Sequence, residues 1–358
     1  MIRIPVGILG ATGMVGQRFI TLLKNHPWFE VVCVAASPNS AGKKYREAIK
    51  GRWVMDLPIP KNISDLTVLS VEKDMDEIAS QVKVVFSALD LDKEKIKEIE
   101  NGFATLGIAV VSNNSAHRWS KDVPMIMPEI NGNHLNLIPV QQKNHKWSNG
   151  FVVVKPNCSI QSYVPMLTPL LKFGIKKVTV TTLQAVSGAG KTIKGWPEMQ
   201  ENVIPFIDGE EEKSEKEPMK IWGEIKNGTI VSSKEPVISA TCIRVPLEDG
   251  HLAAVSISFD KKISKSKIIS EWKNFNPLKK MNLPSAPNPF ITYMDFANRP
   301  QTRIDRNLEN GMGISVGRLR EDGINAFKFI GLSHNTIRGA AGGAILTAEL
   351  LKVEGYIK

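Results

Sequence analysis

The chain reads as an α/β domain of Rossmann type with a doubly wound parallel sheet, followed by an α+β domain whose sheet is mostly antiparallel. Three observations predict this. At 358 residues the chain exceeds the size at which a single hydrophobic core usually stops growing. In the first half, apolar runs at Ile4 to Leu9, Val31 to Ala36, Val82 to Ala88 and Ala109 to Ser112 alternate with helical stretches, as strands and crossover helices of a parallel sheet do. From Phe151 onward the apolar runs lengthen, at Lys177 to Val186, Ile238 to Val245, Leu252 to Phe259 and Ile314 to Arg320, and regular helical crossovers become scarce. The expected domains are 1–150 and 151–334. The tail, 335–358, carries Gly339, Ala340, Gly342, Gly343 and Ala344 in a helical stretch. Glycine weakens a helix, so this segment is expected to pack closely back on the first domain and complete it.

Bulk properties exclude several classes of function. Hydrophobic residues make up 42% of the chain, no apolar stretch approaches the span of a membrane helix, and Met1 to Gly10 runs into a strand without a signal-peptide layout. A cytoplasmic protein with no membrane partner is expected. Cys33, Cys158 and Cys242 are odd in number and far apart, which argues against disulfides and against a metal site. The formal charge is +10, but Lys and Arg are scattered rather than gathered, so no nucleic-acid partner is expected. A positive field instead favours small anionic ligands. The longest charge cluster, Asp208 to Glu217, reads as a solvated loop or helix face.

Between the first strand and the next helix lie Gly10, Thr12, Gly13, Met14, Val15 and Gly16. Glycines at this spacing after a strand allow a tight turn, close approach of a pyrophosphate to backbone amides, and helix–sheet contact, so these six residues are the candidate dinucleotide loop. Where an NAD site commonly has an acid at the end of the second strand, this chain has Ser37, Ser40 and Lys43. Hydroxyls and a cation suit a phosphate, which predicts NADP. The other reading of this stretch is a turn with a solvated lysine pair.

A second segment carries the chemistry. Phe151 to Tyr163 reads as a buried strand that ends at Pro156 and delivers Cys158 to a helix start, where free amides and the positive dipole end would favour a thiolate. Arg244 lies in the apolar strand 239–246, with His251 seven residues on. A guanidinium there fits a bidentate carboxylate, or a structural ion pair.

Five stretches, Ser112 to Arg118, Pro156 to Ser159, Leu183 to Gly190, Ile243 to His251 and His334 to Ala341, occur in an order and with a content that resembles aspartate-β-semialdehyde dehydrogenase of the archaeal and fungal branch. The resemblance implies NADPH-dependent reduction of aspartyl phosphate to aspartate semialdehyde through a cysteine thioester, and a homodimer or homotetramer. It implies Cys158 as nucleophile, His251 as general base and Gln184 as the amide that orients substrate. Arg244 would hold the α-carboxylate, Glu217 the ammonium, and Asn157 would adjoin the substrate. Arg118 and Lys220 would take phosphate; Ser187, Gly188 and Asn335 would join the cofactor site. Pro218 departs from the threonine expected between Glu217 and Lys220. An acyl-coenzyme A reductase such as malonyl-coenzyme A reductase on the same scaffold is the alternative, and a non-catalytic NADP-binding sensor is the alternative from another class.

Overall fold

In the computed structural model, which describes residues 2–358, the chain builds two six-stranded sheets. The first contains β1 (Ile4–Leu9), β2 (Phe29–Ala36), β3 (Val68–Ser70), β4 (Val84–Ser87), β5 (Ala109–Ser112) and β6 (Phe151–Val154), in the order β3-β2-β1-β4-β5-β6. Every neighbouring pair in it is parallel. These strands are apolar at nearly every position because both faces are covered, the condition under which parallel sheets are stable. Strand order reverses between β1 and β4, so a crevice opens at their carboxyl ends.

The turn from β1 into α1 (Met14–Leu23) depends on glycine at two points. Gly10 has φ +79°, and a β-carbon there would sit 2.2 Å from the Ala88 carbonyl oxygen. At Gly16, buried in the first turns of α1, a β-carbon would fall 2.3 Å from the Gly10 carbonyl oxygen. Phe19, Ile20 and Leu23 then face the sheet, and α2 (Lys93–Thr105) later crosses from β4 to β5.

The boundary expected at residue 150 falls one strand early, since β6 pairs with β5 and closes the first sheet. Its run Phe151 to Val154 is buried at every position, but an apolar run of this kind carries no mark of which sheet receives it. The tail forms α4 (Gly342–Val353) after a π-helical turn at Ile337–Ala341, so the regular helix starts later than residue 335. Ala344, Ile345, Leu346 and Ala348 share one core with Val6, Phe86 and Phe151.

The second sheet is mixed, in place of the mostly antiparallel one expected. It contains β7 (Ile175–Gln184), β10 (Val237–Arg244), β11 (His251–Phe259), β12 (Ile291–Met294), β13 (Ile314–Glu321) and β14 (Phe327–Ser333), in the order β10-β7-β11-β14-β13-β12. A short hairpin, β8 (Glu224–Lys226) with β9 (Thr229–Val231), stands apart. The three inner pairings are antiparallel, while β10 with β7 and β12 with β13 are parallel. Residue alternation reports which face of a strand is buried and says nothing of its direction. The β7–β10 pair needs a crossover, and α3 (Glu210–Ile221) lies within it.

Candidate active site

Cys158 lies between β6 and a single 3₁₀ turn, Ser159–Ser162, with its side chain at the floor of a cleft of about 360 Å³ between the two sheets. Asn157 fixes the turn: its Oδ1 accepts the Ser159 N–H and the Ser159 hydroxyl, each at 2.7 Å. Gly339 lets the tail pass directly over the cysteine, since a β-carbon there would lie 2.7 Å from Cys158 Cβ. The expected helix-start activation is corrected here. One 3₁₀ turn supplies little dipole, and burial, with the Glu210 charge adding to it, pushes the Cys158 thiol up to about 11. Lys155, Arg118 and Arg244 pull the other way.

β7, β10 and β11 bring their ends to that sulfur. His251, the first residue of β11, is fully buried, and its Nε2 lies 3.4 Å from Cys158 Sγ. Its Nδ1 accepts the Ala185 amide at 3.1 Å. Burial, then the Arg244 cation, lowers the ring to about 3, so the imidazole is uncharged. Gln184 and Arg244, the last residues of β7 and β10, are register partners, and both line the cleft. Arg244 Nη1 donates to the Ala185 carbonyl at 2.7 Å, which holds the guanidinium at the cleft wall.

α3 presents a different acid–base pair from the one expected. Glu217 is fully buried away from the cleft lining; it accepts Arg118 Nη1 at 2.8 Å and the Asn157 amide at 2.6 Å. Lys220 is buried against the carbonyls of Arg118, Ser120 and Val123, at 2.6, 3.2 and 3.1 Å, and burial lowers its ammonium to about 8. Neither side chain reaches the cleft, so the roles expected for Glu217 and Lys220 pass to other residues. Glu210 and Lys213 lie on the same helix face about 10 Å nearer its N-terminus, line the cleft, and are joined by a 2.9 Å ion pair. Glu210 also accepts Asn157 Nδ2 at 2.9 and 3.1 Å and Gln184 Nε2 at 3.3 Å. The charge cluster read as a solvated face thus supplies two cleft residues. Glu211 and Glu215, from the same cluster, accept the Cys242 and Ala240 amides of edge strand β10 at 3.1 Å.

Arg118 also lines the cleft, its Nε donating to the Lys155 carbonyl at 3.1 Å. Asn335 Nδ2 donates to Ser187 Oγ at 2.8 Å and its Oδ1 accepts the Gly250 amide at 2.8 Å, so the tail, the loop after β7 and the start of β11 meet beside Val15. Ser187 and Gly188 line the same wall. Further along the crevice, Gly10, Thr12, Gly13 and Ser37 line a second cavity of about 260 Å³ together with Arg52. Ser40 is buried in its turn and Lys43 Nζ donates to the Asn39 carbonyl at 2.9 Å; neither lines the cavity. Met14 is half-buried at the head of α1.

Sequence reasoning missed Glu210, Lys213, Arg52 and Gly339. The helical period did hold a signal, because 210, 213, 217 and 220 share one face; which end of that face met the cleft was not in the period.

Two family models match the chain: the semialdehyde dehydrogenase NAD-binding domain over residues 5–138, and the semialdehyde dehydrogenase dimerisation domain over residues 167–338. An aspartate-semialdehyde dehydrogenase of Archaeoglobus fulgidus is 44% identical, covering 99% of this chain and 100% of that one. One of Schizosaccharomyces pombe is 41% identical over 98% of this chain and 99% of its own. Among solved structures, aspartate semialdehyde dehydrogenase with NADP from Candida albicans superposes with a TM-score of 0.88 at 38% identity, covering 99% of this chain and 100% of that one. A sulfur, an imidazole, a guanidinium and an acid–base pair converge on one cleft beside a glycine turn, in a chain that matches these relatives from end to end: it belongs to the aspartate-semialdehyde dehydrogenase family.

Proposed function

We propose that this protein reduces L-aspartyl 4-phosphate to L-aspartate 4-semialdehyde with NADPH, reversibly, through a thioester on Cys158, as a step of amino-acid biosynthesis. The observation that carries the reading is the 3.4 Å approach of His251 Nε2 to Cys158 Sγ at the floor of a cleft lined by both Arg244 and Glu210. An amino acid presents a carboxylate and an ammonium together. Arg244 offers a planar donor fork to the carboxylate and Glu210 a charge to the ammonium, with Gln184 and Asn157 fixing the Glu210 carboxylate between them. Arg118 and Lys213 are the cations left for the phosphate. Glu217 and Lys220 act behind them: Glu217 orients Arg118, and Lys220 gathers the 118–123 loop. An acyl-coenzyme A would leave Glu210 facing no ammonium, so the amino-acid substrate fits better.

The glycine turn fits a dinucleotide, because a β-carbon at Gly13 would meet only the Gly10 carbonyl oxygen at 3.5 Å, leaving its outer side open. Bound NADPH would supply the hydride. Thr12, Gly13 and Ser37 would hold its phosphates, and Arg52 would replace Lys43 as the cation for the 2′-phosphate. The Ser187–Asn335 pair would hold the carboxamide end. Arg52→Ala should weaken NADP binding about tenfold or more and leave NAD binding nearly unchanged, read by calorimetric titration of each cofactor; equal weakening of both would remove Arg52 from this role.

Among the described residues no helix is long and apolar enough to cross a membrane, in keeping with a cytoplasmic enzyme, and the match to a dimerisation domain supports a homodimer or homotetramer. The test of the reaction is NADP reduction with aspartate semialdehyde, with and without phosphate, on the wild type and Cys158→Ala. Phosphate-dependent turnover lost in the variant supports the reading. Reduction of malonyl-coenzyme A by NADPH would favour the acyl-coenzyme A alternative, and cofactor binding without any turnover would favour a sensor.

A further inference from the structure

Three residues before the nucleophile, the chain leaving β6 buries a lysine. Lys155 is 3% exposed and lies outside the cleft lining, so a molecule in the cleft does not touch it. Its backbone is pinned at both ends: the amide donates to the Ser112 carbonyl at 2.8 Å, and the carbonyl accepts Arg118 Nε at 3.1 Å. The tail seals the side chain in. Gly339 passes over Cys158 Cβ and, four residues on, a β-carbon at Gly343 would fall 2.7 Å from Lys155 Cε. Sulfur and lysine stem therefore lie under the same glycine strip of the tail.

That ammonium lacks an acid. Among the described residues its one hydrogen bond goes to the Pro156 carbonyl at 3.1 Å, and no carboxylate pairs with it. The acids nearby are committed elsewhere: Glu217 holds Arg118 at 2.8 Å, and Glu129 holds Arg338 at 2.5 Å. A buried cation without a counter-charge costs free energy, and the group beside it that can carry the missing charge is the Cys158 sulfur. We infer that Lys155 is the counter-cation of that sulfur, a positioning residue that stabilises every state in which the sulfur is negatively charged, from the attacking thiolate to the thiolate released with product. The inference rests on the thioester reading above and deepens it.

The charges packed around the two groups agree with this pairing. Burial lowers the Lys155 ammonium, and the Cys158 charge is the strongest influence restoring it; Arg118 and Arg338 act with burial, and Glu217 against it. Burial and the Glu210 charge raise the Cys158 thiol, and of the cations that oppose them Lys155 comes before Arg118 and Arg244. His251, uncharged beside the sulfur, adds no cation. Each buried charge is unfavourable alone and offset by the other, so the two groups titrate as a pair. Arg118 and Arg244 line the cleft and share their charge with whatever enters it. Lys155, sealed off from the cleft, keeps its charge for the sulfur throughout the cycle.

The test is alkylation of Cys158 in the full-length protein by iodoacetamide, an uncharged reagent, followed by the mass of the peptide that carries it between about pH 6 and about pH 10. Lys155→Met keeps the stem and removes the charge. Alkylation at about pH 8 should slow about tenfold, with the pH profile moved up by about one pH unit, and kcat for aspartate semialdehyde should fall while KM holds. A folded Lys155→Met protein alkylated at the wild-type rate and with the wild-type profile would overturn the inference. Should the substitution prevent folding, the wild type answers from the other side. In ¹³Cε-lysine spectra, the lysine that titrates below the rest should lose its proton about one pH unit lower once Cys158 is carbamidomethylated, and an unmoved midpoint would equally overturn the inference. Neither the alkylation nor the spectrum depends on turnover, so a failure here is distinct from a failure of the reaction assay with Cys158→Ala.

Discussion

Two residues seven apart on one helix face, Glu210 and Glu217, have the same chemistry and opposite duties. Glu210 sits in the cleft lining with Lys213, where substitution should alter substrate handling. Glu210→Gln is expected to lower kcat/KM for aspartate semialdehyde about a hundredfold, through lost ammonium recognition, with the thermal midpoint nearly unchanged. Glu217→Gln acts on a buried ion pair instead, leaving Arg118 without its charge partner. Breaking such a pair costs about 3 kcal/mol, so the urea midpoint should fall, and activity should fall because Arg118 loses its orientation. The opposite pattern, with Glu210 governing stability and Glu217 governing KM alone, would reverse the assignment. This distinction was only partly legible in the sequence. The helix face followed from the period of α3, but the depth of each position depends on how far the helix slides past the Cys158 turn, a tertiary quantity. The Cys158 thiol shows the same limit: residue type and neighbours suggested easier ionisation, while burial by the tail at Gly339 reversed the shift.

At the scale of elements, Pro218 joins α3 to the nucleophile segment. A proline lacks the N–H that would bond the carbonyl four residues earlier. That carbonyl, of Ser214, is satisfied by the Tyr163 hydroxyl at 2.6 Å, and Tyr163 is fully buried at the end of the Cys158 turn. Tyr163→Phe should therefore destabilise the protein by about 2 kcal/mol, the cost of an unpaired buried carbonyl. In a Pro218→Ala background, where a backbone amide becomes available to Ser214, the same substitution should cost less than half as much. Additive effects in this double-mutant cycle would break the link. Other elements mark where sequence reading stopped. β3 and β12 are three and four residues long, too short for alternation to stand out. The parallel edge pairings of the second sheet follow from where the crossovers lead, which no residue pattern encodes. The long strands β7, β10 and β11 stood out because their alternating burial repeats over several residues, and β13 because it opens on a run of four buried residues.

For the whole molecule, the cleft requires the tail and both sheets together. Arg338 pairs with Glu129 at 2.5 Å, bonds Gln161 at 3.1 Å, and is buried among the tail, the segment before β6 and the Cys158 turn. Removing the tail would therefore leave buried Glu129 without its cation and uncover the core face that α4 packs against. The same burial sets the response to acid. His251, His117 and His334 are lowered to about 3, 4 and 4, in each case chiefly by burial. The unfolded chain binds protons at these rings below about pH 6.5 while the folded chain does not, so their contribution is complete above that pH and is lost as pH falls toward the folded values. Unfolding free energy from urea titration should be about 4 kcal/mol lower at about pH 5.5 than at about pH 7.5. A flat profile across that window would mean that these rings are charged in the folded protein.

The account turns on a covalent bond to one sulfur. Mixing the protein with aspartate semialdehyde and NADP in phosphate-free buffer, then following absorbance and the intact mass, tests that bond most directly. The expected result is a burst of NADPH equal to the number of active sites, with one aspartyl group added on the peptide that carries Cys158 and released when phosphate is supplied. Steady turnover without phosphate, or an unmodified Cys158 after the burst, would contradict it.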